Sequence, residues 1–139
     1  ALSPNDADGI AGLGGVLTWA GRPEEAIELV KKAMRLNPMY PLEYLWNLGH
    51  AYYLTRRYEE AIETFTRAID RSPDWMPVHA YLAATYSELE RMEKAHAEAA
   101  EFNRLSPQTS IEEFKHRVPY KDQAVSERAY NSWRKAGMK

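Results

Sequence analysis

The 139-residue chain contains no cysteine, which removes disulfide frameworks, thiol nucleophiles and cysteine-based zinc sites together. Long apolar runs are missing too: charge, Gly or Pro interrupts each within about a dozen residues, short of the ~20 a membrane-spanning helix needs, and no signal-like segment opens the sequence. Excess charge of one sign is absent, with 18 Lys and Arg against 20 Asp and Glu, so the basic footprint of a nucleic-acid binder is not there. β-Branched aliphatic residues are scarce, Val and Ile totalling 10 against 19 Ala, a balance that favours helices over sheets. These absences predict a soluble, cytoplasmic, all-α protein of one domain, long enough to bury a core.

What is present is periodic. Pro4, Pro38, Pro73 and Pro107 stand 34, 35 and 34 residues apart, a period that marks a repeat architecture. Between them Leu13-Gly14, Leu48-Gly49 and Leu82-Ala83 recur, each followed three residues after the small one by Leu17, Tyr52 and Tyr86. A second block holds Ala26, Ala61 and Ala95, then Val30, Phe65 and Ala99, then Ala33, Ala68 and Phe102. Each unit therefore reads as a helix, a turn and a second helix. The small residues lie where the two helices of a unit cross, and the large ones fill the space between units, because a lone helical pair cannot cover its own apolar face. The turn sequences agree: Gly21-Arg22-Pro23-Glu24-Glu25 puts Gly at a helix stop, Pro in an opening turn and carboxylates at the positive helix end.

This pattern resembles the tetratricopeptide repeat, whose signature couples a Leu-Gly-x-x-Tyr block to an Ala-x-x-x-Phe-x-x-Ala block with a closing Pro. Residues 42–75 carry it most fully, through Leu48, Gly49, Tyr52, Ala61, Phe65, Ala68 and Pro73. The family's early tryptophan is replaced by Ile10, Leu45 and His79, and the third copy exchanges its late large and small residues as Ala99 and Phe102. The resemblance implies an α-solenoid of three helix-turn-helix units, 7–40, 41–75 and 76–109, with residues 1–6 closing a preceding unit and 110–139 forming a helical cap. The cap holds 7 basic and 4 acidic residues, leaving 11 and 16 for the rest, so cap and body have opposite signs. Pro119-Tyr120-Lys121-Asp122, Glu127-Arg128 and Trp133 to Met138 are also similar to the C-terminus of bacterial class III adenylate cyclase-type proteins that carry such repeats. That likeness implies the regulatory end of a longer chain as the alternative role.

Nothing in the sequence composes an active site. His50, His79, His96 and His116 show no metal-ligand spacing, and the Gly12, Gly14, Gly15 run has neither a preceding strand nor a following Gly-Lys-Ser/Thr. No metal, cofactor or catalytic activity is expected. Binding is, because stacked helical pairs form a groove lined by the first helix of each unit. The family's groove positions, carried onto this sequence, select Asp8, Thr18 and Trp19, then Glu43, Trp46, His50 and Tyr53, then Ser87 and Glu88. Trp46, His50 and Tyr53 share one helical face. They read either as an aromatic anchor for a peptide or partner helix, or as packing against a neighbouring helix. The carboxylate clamp of chaperone-binding members is not reproduced: Asn47 matches, whereas Asp8, Gly12, Pro77 and Tyr81 stand where the other clamp residues would be. Two further expectations follow: the basic final helix folds onto the groove, and the uncapped first unit exposes apolar surface that favours end-to-end pairing of two copies.

Overall fold

The computed structural model describes residues 4–139, with side chains from Asp6 onward. Those residues form eight helices and no strand: α1 (Pro4–Trp19), α2 (Pro23–Leu36), α3 (Leu42–Leu54), α4 (Tyr58–Arg71), α5 (Met76–Glu88), α6 (Met92–Leu105), α7 (Ile111–Arg117) and α8 (Gln123–Ala136). The helices fall into two compact units, residues 1–68 and 69–139. Pro4 to Asp6, assigned by the repeat spacing to the end of a preceding unit, make the first turn of α1 instead. The same expectation for residues 1–3 lies outside the described residues.

The helices stop as the turn residues dictate, and in one recurring geometry. At the end of α1 the Arg22 amide donates to Leu17 O (2.8 Å) and the Gly21 amide to Thr18 O (3.3 Å). The paired bonds repeat after α3, from Arg57 to Tyr52 O and Arg56 to Tyr53 O, and after α5, from Arg91 to Tyr86 O and Glu90 to Ser87 O. This closure needs a left-handed residue, and Gly21 (φ 89°), Arg56 (φ 62°) and Glu90 (φ 57°) supply it. Gly21 adopts that conformation without strain; Arg56 and Glu90 pay a steric cost. The next helix then opens on an ion pair three residues apart, Arg22 with Glu25 and Arg57 with Glu60.

In the first unit α1 packs on α2, and α3 on both. Ala26, Ala33, Ala61 and Ala68 are fully buried at the crossings, with Val30, Phe65 and Ile27 filling the space beside them. Gly14 and Gly49 are required by contact: a Cβ at Gly14 would sit 2.7 Å from Val30 Cγ2, and one at Gly49 2.6 Å from Phe65 Cε1. Each buried Val, Ile or Phe contributes about 1.5–3 kcal/mol.

In the second unit α5 packs on α6 and α8. Ala99 and Phe102, the exchanged pair, are both buried. The exchange turns the large residue toward the cap, where Phe102 meets Phe114 edge-on at 5.1 Å and Phe114 meets Trp133 at 4.9 Å. Ser110 caps α7 by accepting from the Glu113 amide, Asp122 caps α8 through the Ala124 amide, and Gly137 (φ 97°) ends α8. Trp133 is wholly buried, its ring edge-on to Tyr81 at 5.5 Å and its indole N–H donating to Ala80 O at 2.9 Å. Arg128, Trp133 and Met138 are thus among the tail residues that hold α8 to α5 or lie buried beside it.

Candidate functional site

The groove positions of the first unit come together on α1 and α3, but with unequal access. Thr18 is buried, its hydroxyl donating to Gly14 O at 2.9 Å, an arrangement that serves the helix. His50 is 1% exposed, with the Trp19 ring at 4.5 Å on one side and Trp46 stacked at 5.1 Å on the other. Burial pushes its pKa down to about 3, so the imidazole is neutral at physiological pH. Tyr53 is 4% exposed and tilted against Tyr58 at 6.1 Å. Of the face expected to anchor a partner, His50 and Tyr53 are therefore packing residues in this structure, while Trp46 and Trp19 stay half-buried. The cause is steric: aromatic rings on adjacent helices stack on each other before they can reach outward.

On the same two helices, Asp8, Ala11 and Gly12 of α1 face Pro41, Glu43, Tyr44 and Asn47 across a cleft of about 290 Å3. Tyr44 donates its hydroxyl to Asp8, and the Asn47 amide donates to Ala11 O at 3.2 Å. Gly15 lets Asn47 sit there, since a Cβ would lie 3.2 Å from Asn47 Oδ1. Glu43 is exposed at the rim. The cleft thus combines two carboxylates with a shallow floor of small residues. Asp8 and Glu43, two of the groove positions, line this cleft, whereas Tyr44 and Asn47, which fix its walls, lie outside those positions.

Ser87 and Glu88 have a different fate. The Ser87 hydroxyl donates to Ser132 O at 3.2 Å, and Glu88 accepts from Arg128 Nε (3.0 Å), Arg128 Nη2 (2.8 Å) and the Ser132 hydroxyl (3.0 Å). The final helix therefore covers this part of α5 and engages both residues. Alongside it lies a polar cleft of about 600 Å3 whose other wall is α8, including Asn131 and Lys135. The periodic pattern could not reveal that wall, because α8 lies outside the repeats.

His79 occupies a position where the repeat signature has tryptophan. Its Nδ1 lies 2.6 Å from Glu98 Oε2 and its Nε2 2.6 Å from Pro73 O. Burial alone would lower its pKa, but the bonds to Glu98 and Pro73 O and the charges of Glu98 and Glu101 outweigh it, and the pKa is raised. Both neighbours are acceptors, so the doubly protonated ring satisfies both. Among the described residues no group of three or more His, Asp or Glu side chains is placed to hold a metal ion, and no helix is long and apolar enough to cross a membrane.

Known proteins agree with this architecture. The sequence profile of the tetratricopeptide repeat family matches residues 6–74. A curated relative, the small glutamine-rich tetratricopeptide repeat-containing protein 2 of Mycosarcoma maydis, is 26% identical over 103 residues, 74% of this chain and 29% of that protein. The chain thus spans less than a third of the length of that relative. Among solved structures, MamA superposes with a TM-score of 0.71 at 23% identity over 96% of this chain and 77% of its own. PcrH from Pseudomonas aeruginosa superposes with a TM-score of 0.71 at 16% identity over 98% of this chain and 95% of its own. PcrH bound to the chaperone binding region of PopB gives 0.70 at 17% over 95% and 98%. Residues 6–74 match the tetratricopeptide repeat family model, and the fold shared with these structures extends over nearly the whole chain.

Proposed function

We propose that the chain is a non-catalytic interaction module whose first unit receives a peptide or partner helix on the face shared by α1 and α3. Tetratricopeptide repeats act as protein-interaction modules, and PcrH of the same fold has been solved with a segment of PopB. The observation that carries the reading is the cleft lined by Asp8, Glu43 and Tyr44, on the same two helices that bear the half-buried Trp19 and Trp46. A partner complementary to it has a Lys or Arg for the carboxylates and an apolar side chain for the indole surface. Electrostatic matching sets the partner's register and on-rate, and aromatic contact supplies most of the affinity.

The test is a tryptophan-fluorescence titration with short synthetic peptides of three kinds: basic-apolar, acidic-apolar and neutral-apolar. The basic-apolar peptide should bind, with affinity falling as salt shortens the Debye length from about 10 Å at 0.1 M to about 3 Å at 1 M. Glu43→Lys should weaken it roughly tenfold, since a like charge replaces an opposite one at the rim. Equal binding of all three peptides, or tighter binding of the acidic one, would refute the reading.

A further inference from the structure

Helix α5 opens without a side-chain cap: Trp75 stands at the N-cap position and makes no cap bond, and Pro77 follows in the first turn. The turn before it is closed by its own backbone, the Trp75 amide donating to Ser72 O and the Val78 amide to Trp75 O, each at 3.2 Å. Asp74 in this turn reaches Arg104 of α6 at 3.8 Å, but both are more than half exposed and such a pair carries little weight. The buried tie between the turn and α6 is His79.

Its ring, 4% exposed, lies between two acceptors, Glu98 Oε2 on one side and Pro73 O on the other, each at 2.6 Å. A neutral imidazole has one N–H and one lone pair, so it serves only one of them and turns its lone pair on the other. The doubly protonated ring donates to both and bridges the turn to α6. The surrounding charges favour that state. Glu98 and Glu101 act on the ring from α6, and Arg104, which bonds Glu101 at 2.8 Å, also reaches Asp74. α8, the other helix packed on α5, meets Ala80 through the uncharged Trp133 and sets Arg128 on Glu88, the last residue of α5. Burial opposes the charge, but the two bonds and the carboxylates outweigh it and the pKa is raised.

The repeat shows that the fold does not need an ionisable group at this place. Ile10 and Leu45 hold the equivalent positions of the preceding copies, and Leu45 is buried as an ordinary apolar residue in α3, a helix that also opens without a side-chain cap. In the third copy an apolar contact has been replaced by one that depends on a proton.

We propose that His79 is a proton-operated latch: charged, it fastens the Ser72–Trp75 turn and the start of α5 to α6, and on losing its proton it releases them. The latch is fully effective below pH about 6.5, the ordinary value of a free histidine, and weakens as pH rises toward the ring's folded value, opening roughly tenfold more readily per pH unit. It lies wholly within the second unit and is independent of the peptide-binding reading on α1 and α3.

Nuclear magnetic resonance on the full 139-residue chain, from mildly acid to mildly alkaline pH, tests it through the titration of the His79 ring and the amide-exchange protection factors of Trp75 and Val78. The ring should titrate above about 6.5. The two protection factors should fall roughly tenfold per pH unit over the same interval and level off at the ring's own midpoint. They should stay below those of Leu82 and Ala83 in the same helix, because the turn opens without the unit unfolding. His79→Leu, the residue of the preceding copy, should keep the helical circular dichroism and abolish the pH dependence. Glu98→Gln should abolish it by another route: its amide donates to Nδ1 while the neutral ring donates from Nε2 to Pro73 O, so the latch stays shut without the extra proton and the ring's midpoint falls. A ring that titrates at or below the ordinary value, protection at Trp75 and Val78 that does not follow it or that equals Leu82 and Ala83 once the ring is neutral, or an unchanged pH dependence in either variant would overturn the proposal.

Discussion

Adding one methyl group to the chain should have opposite effects at two glycines of neighbouring helices. Gly49 lies under Phe65, whose ring carbons would stand 2.6, 2.7 and 3.0 Å from a new Cβ. Ordinary carbon contacts lie at about 3.5–4.0 Å, so the ring would have to withdraw by roughly 1 Å. It has nowhere to go, being fully buried with Trp46 at 6.0 Å. Overpacking of this kind costs about 1–3 kcal/mol, against which the better helix propensity of Ala returns about 1 kcal/mol. Gly49→Ala should therefore destabilise by about 1 kcal/mol at mid-range and by about 2 at most. Gly12→Ala meets no neighbour and should stabilise by about 1 kcal/mol. Urea denaturation followed by far-ultraviolet circular dichroism, at protein concentrations low enough to exclude association, would read both. The double variant Gly49→Ala with Phe65→Leu should recover part of the loss if the two side chains compete for one space. A Gly49→Ala chain stabilised to the same extent as Gly12→Ala would refute the close-crossing argument at this helix pair.

The two buried histidines should give the stability profile opposite slopes at its two ends. His50 has a folded pKa lowered to about 3, so its contribution is complete above the unfolded value of about 6.5 and falls by about 1.4 kcal/mol per pH unit as acid is added below that. His50→Phe should flatten this limb of a urea-midpoint profile. His79 has a raised folded pKa; its contribution is complete below about 6.5 and is lost as pH rises through the folded value, a loss that His79→Gln should abolish. At Arg56, exposed and left-handed, replacement by Gly relieves about 1–2 kcal/mol of steric cost and gives up about 0.5–1 in chain entropy, so the melting temperature should rise by a few degrees. Trp133→Ala should cost the second unit about 3–5 kcal/mol and expose α5, seen as faster amide exchange at Ala80 and Ser87.

The repeat period, the close crossings at Gly14 and Gly49 and the buried alanines were legible in the sequence because each depends on a local spacing that recurs. The left-handed turns at Arg56 and Glu90 were not, since neither residue type announces that conformation; only their register with Gly21 does. The fate of the groove positions was half legible. Asp8, Glu43, Trp19 and Trp46 keep exposed surface, but stacking across helices buried His50 and Tyr53, and no single-helix pattern encodes that. Ser87 and Glu88 were claimed by α8, whose bonds through Arg128, Ser132 and Trp133 come from outside the repeat. The His79–Glu98 pair was equally hidden, because an isolated histidine in a sequence does not name its partner nineteen residues on.

Amide exchange measured on the chain with and without the basic-apolar peptide addresses the central claim most directly. Protection should concentrate on α1 and α3, around Asp8, Glu43, Trp46 and Asn47, with α2 and α4 unchanged. Protection on the outer helices α2 and α4, or spread evenly over the chain, would contradict the account.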